Sequence, residues 1–386
     1  MFAAYVLLEI VVEVGRVETQ RVEVRGSTHV TRSILRRDDG KTTTVEHLGG
    51  TLDGIGVLVV GQPTLRVGER VAIWREGPWL RARAGLEDHR REYVQARAQR
   101  SDAPLKWEGT DVSVVPNTAS GDDVEPGEAQ TAVQRAAANW NQAAQDCAYM
   151  TLAVESARSD VVPGFDRNGG NTNVVFWRED FWGADPETPY PPSAAGITTL
   201  RFFDEPGHED SGRILDADIE LNGVNFQFST GDCDPKTGRL DLENTLTHEM
   251  GHLLGLDHTC HDGAVDPPLD DHGLPIPDCS SALPSEVREA TMFSTARACE
   301  TFMRTPEQDD IDGFCGIYPL GDPPAPGGDG DGCSCATAGR APGTPWLGLL
   351  GWVLLSNLTA RACSRYRTRS GCGAGSAGRP RSFCEA

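Results

Sequence analysis

One eleven-residue stretch, HEMGHLLGLDH, constrains the fold of this chain more than any other feature. His248 and His252 are four residues apart, so in a helix both imidazoles project from one face and can share one metal ion. Glu249 is rotated by about 100° from His248, near enough to reach a water molecule on that ion without ligating it. Gly255 can take a positive φ, which ends the helix and turns the chain back so that His258 supplies a third nitrogen. The stretch therefore predicts a helix, a sharp turn and a three-histidine metal site in one local unit.

The residue types in this unit point to catalysis. Three neutral imidazoles leave one position of a tetrahedral Zn²⁺ open, which is typical of catalytic zinc sites, whereas structural sites close all four positions with protein. Zinc lowers the pKa of its water towards 7 and polarises a carbonyl, and Glu249 is expected to accept the proton of that water and return it to a leaving amine. A helix with three solvated histidines is the alternative. We expect His248, His252 and His258 as zinc ligands and Glu249 as the catalytic residue.

The elements around this unit predict an α+β domain over residues 105–320. An amphipathic helix is predicted over Gly127–Cys147, and a second helix from the N-cap Asp241 to Gly255. Strand candidates are Met150–Val154, Asn173–Trp177 and Ile214–Leu221. Helices and strands do not alternate strictly, which argues against a doubly wound fold.

Five further segments are predicted from composition. Residues 4–85 place valines among Glu and Arg between Gly-rich turns, which is typical of a small all-β barrel or sandwich. Residues 86–104 are strongly charged and end at a proline, so a partly helical linker is expected. After the α+β domain come a Gly/Pro/Asp-rich linker, a short apolar segment and a basic tail that contains cysteines, at 321–345, 346–358 and 359–386.

Charge and cysteine placement bear on partners and compartment. Lys and Arg number 35 against 57 Asp and Glu, and the net charge of −22 argues against nucleic acid or an anionic membrane as the main partner. None of the 11 cysteines precedes Cys147, and six lie from Cys147 to Cys315. An even set in one domain predicts up to three disulfides and an exported protein, although the spacing selects no pairing and buried thiols in a cytosolic protein are the alternative. Met1–Val12 is apolar but lacks the early basic residue of a secretory signal, so we expect a strand there, or a start codon placed inside a longer gene, and export is argued from the cysteines instead.

The metal-binding stretch resembles the elongated zinc-binding signature of the metzincin metallopeptidases. Ala290–Phe293 is similar to the Met-turn of that family, which implies that Met292 supports the zinc site from below. Other segments are similar to the matrixin (matrix-metalloproteinase-like) branch: Trp107 to the start of its catalytic domain, Asn171–Trp177 to its central strand, Ile214–Asn222 to its edge strand above the cleft, and Thr305–Tyr318 to its final helix. The resemblance covers about residues 105–320.

The resemblance implies a zinc-dependent endopeptidase that binds protein or peptide substrates extended and antiparallel to the edge strand. A zinc-binding surface adhesion or recognition protein with little or no peptidase activity is the alternative, and Glu249 disfavours it because ligation needs no carboxylate there. A further alternative makes residues 4–85 an adhesion module that the peptidase matures. The matrixin latency motif, a Cys on the fourth zinc position, has no counterpart before Cys147. Either activity is controlled otherwise, with residues 4–85 as one candidate, or the enzyme is not latent.

Two further expectations concern calcium and the tail. Asp216 and Asp218 alternate along one strand face, and such hard oxygen ligands suit calcium, with a solvated acidic surface as the alternative. The tail resembles a bacterial C-terminal surface-sorting signal of the myxobacterial type, with Cys333 or Cys335 as the processing or attachment residue. A plain membrane anchor is the alternative. Such tails stop soon after their first Arg cluster, and an altered reading frame would explain why this one continues to Ala386.

Overall fold

The structure is a computed structural model. It describes the following residues: 13–37, 40–60, 62, 65, 67, 70–76, 79–83, 93–261, 267–271, 273–283 and 285–321. The predictions for Met1–Val12 and for the tail, including Cys333 and Cys335, lie outside the described residues. All described residues belong to one compact unit, Met1–Gly330.

The first sheet is antiparallel and has five strands in the order β3-β2-β1-β6-β7. They are β1 (Glu13–Arg25), β2 (Thr28–Arg37), β3 (Thr42–Leu48), β6 (Arg70–Glu76) and β7 (Trp79–Arg83). Buried residues alternate with exposed ones over residues 31–36 of β2, and the two-residue period of a strand places Thr31, Ser33 and Leu35 on one buried face. Val45 of β3 lies opposite Ser33, whereas Val30 is buried on the other face of β2.

The second sheet contacts the helix that holds His248 and His252, and it has the strand order β10-β9-β11-β15-β14-β5-β4. Its strands are β4 (Gly50–Leu52), β5 (Ile55–Val59), β9 (Asp111–Pro116), β10 (Thr151–Val154), β11 (Val174–Arg178), β14 (Gly196–Phe203) and β15 (Ile214–Asn222). The first four strands in the order are parallel to one another, and β14 is antiparallel to β15. The segment predicted as a separate β domain, residues 4–85, therefore supplies strands to both sheets.

One strand assignment from the resemblance is wrong. Ile214–Asn222 was expected at the edge of the sheet, but β15 is paired on both sides, with β11 and with β14. β14, which the sequence patterns did not single out, lies on the far side of β15, and it is covered in turn by β5. The physical reason is non-local: a strand's neighbours are chosen by pairing across the chain, and its own residues do not reveal them.

In the part of the chain that the structure describes, four α-helices accompany the sheets, and the mixed α+β class is confirmed. They are α1 (Pro126–Ala144), α2 (Leu242–Leu253), α3 (Ser285–Arg288) and α4 (Gln308–Ile317). The first two correspond to the predicted helices. Trp140 joins them, because its indole Nε1 donates to the backbone oxygen of Thr247 at 2.8 Å and its ring meets that of Phe314 edge-on. These contacts join α1 to α2 and to α4 in the main hydrophobic core.

Residues 93–104 differ from the predicted linker. β8 (Val94–Gln95) pairs antiparallel with β18 (Leu256–Asp257), and Ala96 and Ala98 are buried in the main core. The small apolar residues alternate with Gln and Arg here, so the composition looks polar while one face is apolar. The remaining short strands are β12 (Gly183–Asp185), β13 (Thr188–Pro189), β16 (Phe228–Ser229) and β17 (Leu240–Asp241).

Three disulfides select one pairing of the six cysteines: Cys147–Cys315, Cys233–Cys299 and Cys260–Cys279. The predicted disulfides are thus confirmed, and they suggest an exported or extracellular protein because such bonds persist in oxidising compartments. Among the helices of the described residues, none combines the length and the apolar character needed to cross a bilayer.

Candidate metal centre

The candidate metal-binding stretch begins on α2, a helix whose residues are all buried, and ends beyond it at His258. Asp241 caps its start, since the carboxylate Oδ1 accepts a hydrogen bond from the backbone N–H of Asn244 at 2.8 Å. Arg304 Nε donates to the same carboxylate at 2.8 Å and ties this end of α2 to the segment before α4. These contacts fix the residue at which α2 begins. The start of the helix in turn sets the face from which His248 and His252 project.

Gly255 makes the turn that brings the third histidine to the first two. Its φ is +97°, and a Cβ there would lie 2.7 Å from the backbone oxygen of Leu105, so both conformation and space require glycine. The chain then enters β18 and reaches His258. The positive φ at Gly255 is the one that the sequence analysis expected.

The three imidazoles converge through their Nε2 atoms. The distances are 3.1 Å from His252 to His248, 3.1 Å from His252 to His258 and 3.2 Å from His248 to His258. Among the described residues this is the cluster that could hold a metal ion. The nitrogens of a tetrahedral zinc site are separated by about 3.3 Å when each Zn–N bond is about 2.0 Å. The spacing therefore fits one divalent ion.

The other ring nitrogens orient two of these ligands. His248 Nδ1 donates to the backbone oxygen of Thr291 at 2.6 Å, and His252 Nδ1 donates to that of Leu256 at 2.9 Å. With a proton on Nδ1, each Nε2 keeps its lone pair for the metal. Burial lowers the pKa of His248 to about 4 and that of His258 to about 3, and it takes the pKa of His252 well below its ordinary value. All three rings are neutral at pH 7, the form that ligates a metal.

Glu249 lies beside this cluster under β14. One carboxylate oxygen, Oε2, is 2.7 Å from the Thr198 hydroxyl, and a Cβ on Gly196 would lie only 2.6 Å from the other, Oε1. Burial raises the pKa of Glu249 to about 7, and the hydrogen bond from Thr198 opposes that rise. A carboxylate with a pKa near 7 suits a general base at neutral pH. Thr198 and Gly196 were missed by the sequence analysis, although the β-branched run ITT was a strand signal.

Met292 is buried under α2. A Cβ on Gly251 would lie 2.2 Å from the Met292 sulfur, so the helix rests directly on this side chain. The Asp310 carboxylate accepts from the backbone N–H groups of Thr291 and Met292, at 2.8 and 3.2 Å. Thr291 is also the residue whose carbonyl holds His248. Asp310, another residue that sequence reasoning missed, thus links α4 to the segment that positions a ligand.

Asp216 and Asp218 are far from solvated. Both are fully buried, and Arg201 Nη1 donates to each, at 2.6 Å and 2.7 Å. Asp218 also accepts from the backbone N–H of Gly164 at 2.8 Å. The alternative of a solvated acidic surface is wrong for this pair. Calcium there stays a prediction, and the guanidinium already places one positive charge between the two carboxylates.

A cavity of about 510 Å³ opens over the cluster of three histidines. The three histidines and Glu249 line it together with parts of β14 and of the segment after Met292. This volume lies in the range of small-molecule and peptide clefts, roughly 300–1,000 Å³. A scan against protein-family models finds none that matches this chain, and a search of curated proteins finds no match either.

Proposed function

We propose that this chain is a zinc-dependent endopeptidase of the matrixin-like metzincin type, with His248, His252 and His258 as ligands. The observation that carries the proposal is the convergence of three neutral imidazoles at 3.1–3.2 Å beside one buried carboxylate in the same cavity. Zinc bound there supplies a Lewis acid that polarises a carbonyl and makes water a nucleophile near neutral pH. A pure binding site would have no use for Glu249 in that place.

Glu249 carries out both proton transfers in this proposal. It takes the proton from the attacking water as the water oxygen bonds to the peptide carbonyl carbon, and then delivers it to the amine as the C–N bond breaks. Thr198 holds the carboxylate through its hydroxyl. Gly196 leaves the room that the carboxylate needs against β14. In this proposal Met292 supports the ligand helix from below.

The partners in this proposal are proteins or peptides outside the cytoplasm. The three disulfides support export. Attachment to the cell surface through the basic tail belongs to the same proposal and is tested by mapping the C-terminus of the mature protein on cells.

Removal of the metal tests the proposed activity. Incubation with 1,10-phenanthroline is expected to abolish hydrolysis of casein, because the three imidazoles alone offer neither a Lewis acid nor an activated water. Adding zinc back is expected to restore it, with about one zinc per chain by mass spectrometry. Casein hydrolysis that persists in metal-free protein contradicts the proposal.

Two adjacent threonines give a matched pair of variants. Thr198→Val is expected to lower kcat about tenfold at unchanged zinc content, because Glu249 loses a hydrogen bond to a charged group. Thr199 is equally buried, but its hydroxyl has no partner among the described residues. Thr199→Val is therefore expected to leave kcat unchanged and stability equal or slightly higher. Equal kcat in both variants would remove Thr198 from the mechanism.

A further inference from the structure

The sheet edge next to the metal centre is occupied by the protein itself. β14 begins at the site, where Gly196 and Thr198 contact Glu249, and runs away from it to Phe203. β5 pairs antiparallel with the distant part, from Ile55 opposite Phe203 to Val59 opposite Thr199. A strand so paired has no free edge for another chain over those residues.

β5 runs towards the site and turns away just before it. The backbone N–H of Val60 donates to the oxygen of Thr198 at 3.2 Å, and that of Gln62 donates to the oxygen of Val59 at 3.1 Å, closing a tight turn. Val60 and Gln62 line the cavity over the metal centre. Only the first two residues of β14, Gly196 and Ile197, extend past this turn towards the site. The turn thus forms one end of the cavity.

The hairpin β4–β5 is held too firmly to be a loose flap. Val57 and Val59 are buried in one cluster with Ile197, Trp182 and Tyr190. Thr51, on β4, donates through its hydroxyl to the Asp204 carboxylate at 2.5 Å. Apolar burial of this kind, together with a half-buried side-chain hydrogen bond, belongs to a permanent part of the fold.

We propose that β5 permanently fills the place of the substrate segment on the amino side of the scissile bond, so that recognition rests on the carboxyl side. This inference rests on the proposed function. A substrate antiparallel to β14 approaches the site from the Phe203 end, which is the direction that β5 takes. With Thr198–Phe203 already paired, a substrate has at most Gly196 and Ile197 to pair with before the scissile bond. The substrate residues on the carboxyl side of the scissile bond lie beyond the turn, where β5 does not block their path along the cavity.

A peptide length series tests this. A bond cut in casein is mapped by mass spectrometry, and synthetic peptides around it are lengthened one residue at a time at either end. Lengthening the carboxyl side from one to three residues is expected to raise kcat/KM at least tenfold. Lengthening the amino side from two to five residues is expected to change it less than twofold or to lower it. A tenfold gain from the amino side overturns the proposal while leaving the peptidase intact. Zinc-loaded protein that cuts neither casein nor any peptide overturns both.

A disulfide lock distinguishes a permanent occupant from a removable inhibitor. Val59 and Thr199 face each other next to the hydrogen-bonded pair of Val60 and Thr198, so their Cα atoms are about 4.5 Å apart, within disulfide range. The double variant Val59→Cys/Thr199→Cys, with the bridge verified by mass spectrometry, is expected to cut the best peptide within twofold of the two single variants. Loss of activity in the bridged form alone means that β5 must leave, and it overturns the proposal.

Discussion

Glu249→Gln is expected to lower kcat/KM for casein or a derived peptide by about three orders of magnitude, the middle to upper range for loss of a general base. The amide keeps the shape of the carboxylate in the tight space beside Gly196, so the fold and the metal ligands are left intact. It has no basicity, so the attacking water keeps its proton. Zinc content by mass spectrometry is therefore expected to stay at that of the wild-type protein while the rate falls.

Glu243→Gln is the matched control on the same helix. Glu243 is also buried, but it faces α1, where its carboxylate accepts from the Asn139 side chain at 3.0 Å. Its replacement is expected to leave kcat/KM within about twofold, since a glutamine oxygen accepts the same hydrogen bond. If Glu249→Gln cleaves as fast as this control, the proposed mechanism is wrong.

Arg201→Met is expected to cost about 3–5 kcal/mol of folding stability, the range for breaking a buried ion pair by removing one partner. The guanidinium is almost fully buried and donates to Asp216 and Asp218, which have no access to solvent. It also donates from Nη2 to the backbone oxygen of Ser27 at 2.9 Å, which joins β14 to the turn between β1 and β2. The measurement is the urea midpoint followed by tryptophan fluorescence.

The pH dependence of the stability lost in Arg201→Met identifies the cause of that loss. Burial raises the pKa of Asp216 and of Asp218, and Arg201 opposes the rise, so its loss raises both values further. A carboxyl whose folded pKa exceeds its unfolded value of about 3.9 favours folding at low pH and loses that contribution as the pH rises. The stability deficit of Arg201→Met is therefore expected to be larger at pH 8 than at pH 5.

The triple variant Arg201→Met/Asp216→Asn/Asp218→Asn serves as the control, because it removes the unpaired charges. It is expected to recover part of the stability at pH 8. A deficit in Arg201→Met that does not depend on pH contradicts the ion-pair explanation and assigns the loss to packing. Recovery of Arg201→Met by calcium would show that the two carboxylates accept that ion once the guanidinium is gone.

Local spacing predicted the metal centre. The interval of four between His248 and His252, and the glycine that ends the helix before His258, are properties of one turn of backbone. The structure brings the three histidines together with Glu249 beside them, and all four lie within one stretch of eleven residues. Distant residues such as Thr291 and Thr198 then hold the side chains in place. Local spacing likewise predicted α1 and α2, whose bounds differ from the prediction by a few residues at their ends.

Non-local pairing decided what surrounds that centre. Nothing in residues 4–85 indicates that β5 pairs with β14. Nothing in the sequence around Arg201 indicates that its guanidinium lies between the carboxylates of Asp216 and Asp218. The sequence of a β-strand shows its two-residue period, but it does not show which strand it pairs with, because pairing depends on register and burial across the whole chain. The sequence by itself determined that the three histidines and Glu249 lie together, since they fall within eleven residues. The tertiary structure alone decided which end of the cleft is closed, because that depends on two strands about 140 residues apart meeting along one edge.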